Sequence, residues 1–234
     1  MACWSAENAT KAFLRALKMR KRGKEPDTAE FISALAAGNN AQLLVMACAG
    51  TAGSTTTTAL ALVAAAHQTG GRVVCILPSP GVLQASKNSL GHYADRIEFA
   101  TGNAKTLLVN DLKGADFVLI DCDINDHKGI FLAAKKGTAK NVGALIVGYN
   151  ALHKGSWGSD HELRTDQTQF LPIGEGLLVS KSTNTGSANA ATTCNYRFQD
   201  GPKRSHHWVV KVDKCTGEEH VFRISSPKRQ WIEA

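Results

Sequence analysis

Four polar side chains stand where apolar runs end, and their types define the chemistry open to this chain. Asp121 and Asp123 close the run FVLIDCD, and Asn150 and His153 follow the run ALIVGY. Carboxylates can hold a metal ion or the polar end of a ligand, and an imidazole near its ordinary pKa can position or deprotonate a hydroxyl. The competing reading has Asp121 capping the next helix and His153 facing solvent on a loop. A second group, of backbone donors, lies earlier. In the stretch 42–62, QLLVMACAGTAGSTTTTALAL, an apolar run at 43–46 turns through Gly50 and Gly53 into an alanine- and threonine-rich helix expected to start near Ser54. Glycine lets main-chain N–H groups approach a ligand, and the free donors of a helix start favour polar or anionic groups. The spacing is not G-x-G-x-x-G, so a plain turn competes with a small-molecule site. Cys48 in this turn is read as a small residue in a glycine's place rather than as a reactive thiol. His206 and His207 are adjacent; on a strand they point to opposite faces and cannot chelate together, so they are read as hairpin surface.

The elements that would position these groups follow from the apolar pattern. Helices are expected over 5–20 and from 27, the second opened by Asp27 with Glu30 as the reciprocal partner of a capping box and stopped by Gly38. Five strands, at 43–46, 72–77, 96–102, 116–123 and 143–150, alternate with helices ending near residue 67 and spanning about 82–93, 104–112 and 129–136. That alternation predicts a parallel sheet. Residues 166–182 read as an antiparallel hairpin at the sheet edge, 182–205 as a mobile polar loop, and HWVVKVD with EEHVFRI as a C-terminal hairpin. Ligands of such sheets bind beyond the carboxyl ends of the strands, which selects residues 48–54, 77–80, 102–104, 121–126 and 149–156. Asn103 belongs to this set.

Composition narrows the class. The 234 residues hold 27 Lys and Arg against 20 Asp and Glu, a formal net charge of +7, spread too widely to choose a nucleic acid or an anionic surface as partner. The densest basic piece, KMRKRGK at 18–24, reads as a cationic helix end. Six scattered cysteines without a CxxC pair point to a reducing cytoplasmic or nuclear setting. No apolar run is long enough to span a bilayer, and no secretory leader is expected. A single domain is expected, with 1–41 as N-terminal helices, 42–182 as sheet core, 183–205 as loop and 206–226 as hairpin.

Several of these words resemble a known family. FVLIDCD at 117–123, GYNALHKGS at 148–156 and FLPIGEGLLVSK at 170–181 are similar to segments of class I S-adenosylmethionine-dependent methyltransferases, in particular the cation-dependent caffeoyl-coenzyme A and catechol O-methyltransferases. The whole chain more closely resembles an uncharacterised plant family, domain of unknown function 1442. The resemblance implies a Rossmann-like α/β methyltransferase sheet of five parallel strands plus a closing antiparallel pair. It also implies S-adenosylmethionine as cofactor and transfer of a methyl group to oxygen on a small acceptor. The implied cofactor residues are Cys48, Gly50, Gly53, Ser54, Leu77, Asn103 and Asp121, and the implied catalytic ones Asp121, Asn150 and His153. Departures from the pattern are equally specific. The family's glycine-motif acid and both its glycines become Met46, Cys48 and Ala52. Its ribose-binding acid falls at Leu77, where unmade hydrogen bonds would cost on the order of 1–3 kcal/mol each. Its second metal carboxylate is deleted beside Asn150, which argues against a bound metal. The alternative is therefore a catalytically inactive methyltransferase fold, a pseudoenzyme, that binds a metabolite or a protein partner. Dinucleotide binding is weaker, because Leu77 suits that ribose no better. Partners expected are a small molecule, with membrane and nucleic acid set aside and a homodimer left open.

Overall fold

The computed structural model describes residues 4–19, 27–49, 52–152, 168–182, 206–212 and 219–225, without the side chains of 52–55 and of the last two segments. The chain divides into two compact units, Met1–Ala188 and Asn189–Ala234. Expectations that fall on His153, Gly50 or the polar loop at 183–205 lie outside the described residues.

In the first unit the apolar runs are the strands β1 (Leu43–Ala47), β2 (Arg72–Leu77), β3 (Ile97–Thr101), β4 (Phe117–Asp121) and β5 (Leu145–Tyr149), followed by β6 (Thr168–Leu171) and β7 (Leu177–Lys181). They form one sheet in the order β3-β2-β1-β4-β5-β7-β6. The first five are mutually parallel, and β7 runs antiparallel to both β5 and β6. β1, β4 and β5 are almost entirely buried, as continuous apolar strands covered on both faces must be.

Side chains alternate across the sheet, and each face carries its own apolar cluster. Met46, Cys48, Cys75, Leu77, Leu119, Val147 and Tyr149 share one face with Ile32, Ala36 and Leu62 of the N-terminal helices. Those helices are α1 (Ala6–Met19), α2 (Thr28–Gly38) and α3 (Ala52–Thr69), packed against one another. Val45, Ile76, Ile120 and Ile146 share the other face with Leu108 of α5 (Ala104–Asn110) and Phe131 of α6 (His127–Thr138).

Local signals explain most boundaries. The α2 capping box forms as expected, with the Asp27 N–H donating to Glu30 Oε2 at 2.8 Å. Gly38 does end α2, though its role is close packing: a Cβ there would lie 2.3 Å from the Trp4 ring. The left-handed residue of that turn is Asn40, at φ 53. The helix expected over 82–93 is shorter, α4 (Leu83–Leu90), because Gly91 at φ 58 leads into a 3-10 turn through Arg96. Helix α3 begins at Ala52, so Gly53 and Ser54 fall in its first turn. In the second unit, β8 (His206–Val212) and β9 (Glu219–Ser225) pair antiparallel, with His206 opposite Ser225 and His207 opposite Ile224.

Candidate functional site at the carboxyl edge of the sheet

β1 and β4 are neighbours and β4 is followed by β5, so the residues that leave these three strands meet at one edge. Asp121 ends β4 with no solvent exposure. A buried carboxylate needs donors, and three reach it. Its Oδ1 accepts from the Asp123 N–H at 3.0 Å and from Asn150 Nδ2 at 3.2 Å, and its Oδ2 accepts from the Ala49 N–H at 3.4 Å. Asn150 Nδ2 also donates to Asp123 Oδ2 at 3.1 Å. Asn150 adopts φ 59, a conformation that asparagine tolerates better than most side chains. One amide therefore ties the ends of β4 and β5 together, while the carboxylate holds the start of the turn after β1.

The structure thus brings Asp121, Asp123 and Asn150 into one network beside the β1 turn. Among the described candidates, Leu77, Asn103 and Cys48 make other contacts. Leu77 is wholly buried within the apolar cluster. Asn103 spends its side-chain oxygen on the start of α5, accepting from the Lys105 N–H at 2.9 Å. Cys48 is buried, and its Sγ lies 2.9 Å from Cys75 Sγ. The hydrogen bond with Cys75, together with burial, pushes the Cys48 thiol far above its usual range, which keeps it protonated. It fills space and supplies no nucleophile.

Tyr149, the first residue of the range 149–156 selected from the sequence, completes the edge. Tyr149 is 1% exposed, and its hydroxyl lies against Thr58 and Asp121. Burial, followed by the negative charge of Asp121, raises its pKa far above the ordinary phenol value, so the group is a donor and not a base at neutral pH. Tyr149 and Asn150 form the floor of a cleft of about 250 Å³. Its walls are Asp27, Thr28 and Ala29 at the start of α2, Thr57 and Thr58 on α3, and Gly174 and Glu175 in the β6–β7 turn. Gly174, at φ 55, lets that turn approach α2, since a Cβ there would lie 2.0 Å from Thr28 Oγ1. The only sequence signal for this cleft was the polar end of GYN after an apolar run.

Among the described residues no three His, Cys, Asp or Glu side chains gather as a metal group, and no helix is long and apolar enough to cross a membrane. The donor set fits S-adenosylmethionine in part. Carboxylates beside β4 suit an ammonium group, and the aliphatic end of β2 offers a ribose no acceptor.

Comparison with known proteins agrees with this architecture. A family model described as a protein of unknown function (DUF1442) matches residues 1–224. No curated protein matches the sequence. Among solved structures, the chain is similar to the SAH-bound methyltransferase PaMTH1 from Podospora anserina, at 14% identity and TM-score 0.53, over 78% of this chain and 91% of that one. It is also similar to a candidate caffeoyl-CoA O-methyltransferase from Staphylococcus aureus, at 18% identity and TM-score 0.52, over 76% and 93%. A third is an O-methyltransferase from Bacillus cereus in complex with SAH, at 18% identity and TM-score 0.50, over 76% and 92%. At these identities the likeness establishes the fold, that of the class I methyltransferases.

Proposed function

Because the chain belongs to the DUF1442 family of proteins of unknown function and carries a class I methyltransferase fold, we propose that it binds S-adenosylmethionine and transfers its methyl group to oxygen on a small acceptor, without a metal. The observation that carries this reading is the buried Asp121–Asn150–Asp123 network at the carboxyl ends of β4 and β5, directly beside the turn that follows β1. Bound there, the donor would supply an electrophilic methyl group on a sulfonium. The chain's own residues would contribute position: Asp121 and Asp123 would hold the ammonium end at the carboxyl ends of β4 and β5. Positioning alone accounts for large accelerations when the reacting atoms are held in line. The solved relatives named with SAH support the choice of donor, and Leu77 in place of an acid predicts that donor binding is weak.

Calorimetry with S-adenosylmethionine and S-adenosylhomocysteine tests this, in EDTA and in magnesium. Weak binding that is equal in the two buffers is expected. No heat with either ligand would overturn donor binding, and binding only in magnesium would overturn the metal-free reading. Donor binding without turnover on any hydroxylated acceptor would leave a non-catalytic descendant of the fold.

A further inference from the structure

We propose that the outer face of α1 docks the protein on an anionic lipid surface, lying in the headgroup layer rather than crossing it. A surface helix ordinarily turns its largest apolar side chains toward the core. α1 turns its smallest. Ala9, Ala12 and Ala16 are its buried residues. Phe13 and Leu17 are only half buried and pack against neither apolar cluster of the described residues, and Leu14 is 49% exposed. Thr10, Phe13, Leu14 and Leu17 stand at i, i+3, i+4 and i+7, so they form one continuous stripe along the helix. The Thr10 hydroxyl does not interrupt it, being donated to the Ala6 carbonyl at 2.9 Å.

The border of that stripe chooses the occupant. Lys11 and Lys18 lie three residues before and four after Leu14, on the same side of the helix, and Arg15 stands beside them. The one acidic residue of α1, Glu7, already accepts from Lys11 Nζ. In the sequence the next six residues add Arg20, Lys21, Arg22 and Lys24 against Glu25 alone. Large apolar side chains bordered by cations suit a helix that lies in an anionic headgroup layer, with its aliphatic groups at the acyl boundary and its cations at the phosphates. A nucleic acid would match the cations and leave Phe13 and Leu14 in water, and a second copy of the same face would set cations against cations. Among the described residues no helix can cross a membrane, and lying on one is a different requirement. Docking of this kind does not depend on the methyltransferase reading.

The test uses the full chain and two sets of vesicles, phosphatidylcholine alone and phosphatidylcholine mixed with phosphatidylserine, with co-sedimentation as the readout. Binding is expected only to the vesicles that contain phosphatidylserine, and it should fall in high salt. Leu14→Glu should weaken it by about tenfold or more, the effect of withdrawing one leucine side chain from an apolar layer, without moving the melting temperature. Lys18→Ala should weaken it about fivefold. Leu14→Trp should strengthen it, and a gain of affinity cannot come from misfolding. No co-sedimentation, or equal binding to both sets of vesicles, would overturn the proposal. Wild-type binding by Leu14→Glu would overturn it too, assigning the affinity to the basic run alone. A wild-type dimer that Leu14→Glu splits would make a second copy the occupant instead. A lower melting temperature for Leu14→Glu, with no vesicle binding by the wild type, would mean that the chain itself covers the stripe. Binding of single-stranded RNA in place of vesicles, unaffected by Leu14→Glu, would make a nucleic acid the partner of the cations and reject the lipid surface.

Discussion

The ends of β2 and β4 occupy comparable positions on one sheet edge and have opposite chemistry. β2 stops at Leu77, unexposed in an apolar cluster with Cys75 and Met46. β4 stops at Asp121, equally unexposed, with its carboxylate held by two backbone N–H groups and one amide. Burial is the same in the two places, so burial does not decide polarity at a strand end. What decides it is whether donors converge there. At β4 they come from Ala49, Asp123 and Asn150, and at β2 apolar side chains fill the same depth. Within the fold, the end of β2 is core, and the end nearer β5 carries the hydrogen-bonding chemistry.

The largest effect should come from forcing one half to imitate the other. Leu77→Asp places a carboxyl group where no donor converges, and it is expected to cost roughly 3–5 kcal/mol, read as a lower urea midpoint. A variant of wild-type stability would mean that the end of β2 opens to water. The reciprocal change is smaller. Asp121→Asn keeps the shape and turns one acceptor oxygen into a donor that faces N–H groups, for an expected loss of about 1–3 kcal/mol. That corresponds to a fall in melting temperature of roughly 2–12 °C for a chain of this size. An unchanged melting temperature together with lost S-adenosylmethionine binding would show that the network serves the ligand and not the turns.

Asp27→Ala probes the wall that only the β5 side possesses. Loss of the capping box should cost about 1 kcal/mol and loosen the start of α2, visible as faster amide exchange at Glu30 and Phe31. Lys105→Ala should have the smallest effect. The hydrogen bond from Lys105, on α5, holds the Asp126 carboxyl below its usual 3.8. A lowered carboxyl pKa contributes stability above the unfolded value and loses it as pH falls through the folded one. Both side chains are about half exposed, so solvent screens the pair. The expected difference is under about 0.5 kcal/mol at pH 7, vanishing in high salt and below pH 3.8. A difference that persisted in salt would show that the bridge joins the two halves more firmly than its exposure allows.

How far the fold could be read in advance depended on how local its causes are. The strands at 72–77 and 117–121 and the Asp27–Glu30 box follow from runs and spacings a few residues long, and they appear as expected. The proximity of Asp121 to Asn150 was legible too, because parallel neighbours deliver their last residues to one edge. The fate of Leu77 was not, since the same leucine could face a ligand or a core, and only the packing of α1–α3 over that face decides. Nor was the approach of the β6–β7 turn to α2, which depends on Gly174 and Thr28 meeting across residues far apart in the chain. The length of α4 was overestimated because a glycine after Leu90 reads as an ordinary helix-surface residue until its backbone turns left-handed.

The central place of β1 has a consequence for how the protein is made. One edge of β1 pairs with β2, which leaves the ribosome soon after it. Its other edge waits for β4, and Leu43 and Asp116, which hydrogen-bond at that seam, are 73 residues apart. At about 5–20 residues per second that wait is roughly 4–15 s of translation. Throughout it the most apolar strand of the sheet presents an unpaired row of N–H and C=O groups, the kind of edge that pairs with other chains. Slow translation through α4 and β3 would lengthen this exposure, so nascent-chain aggregation should respond to codon choice between residues 78 and 116 more than to changes after residue 121.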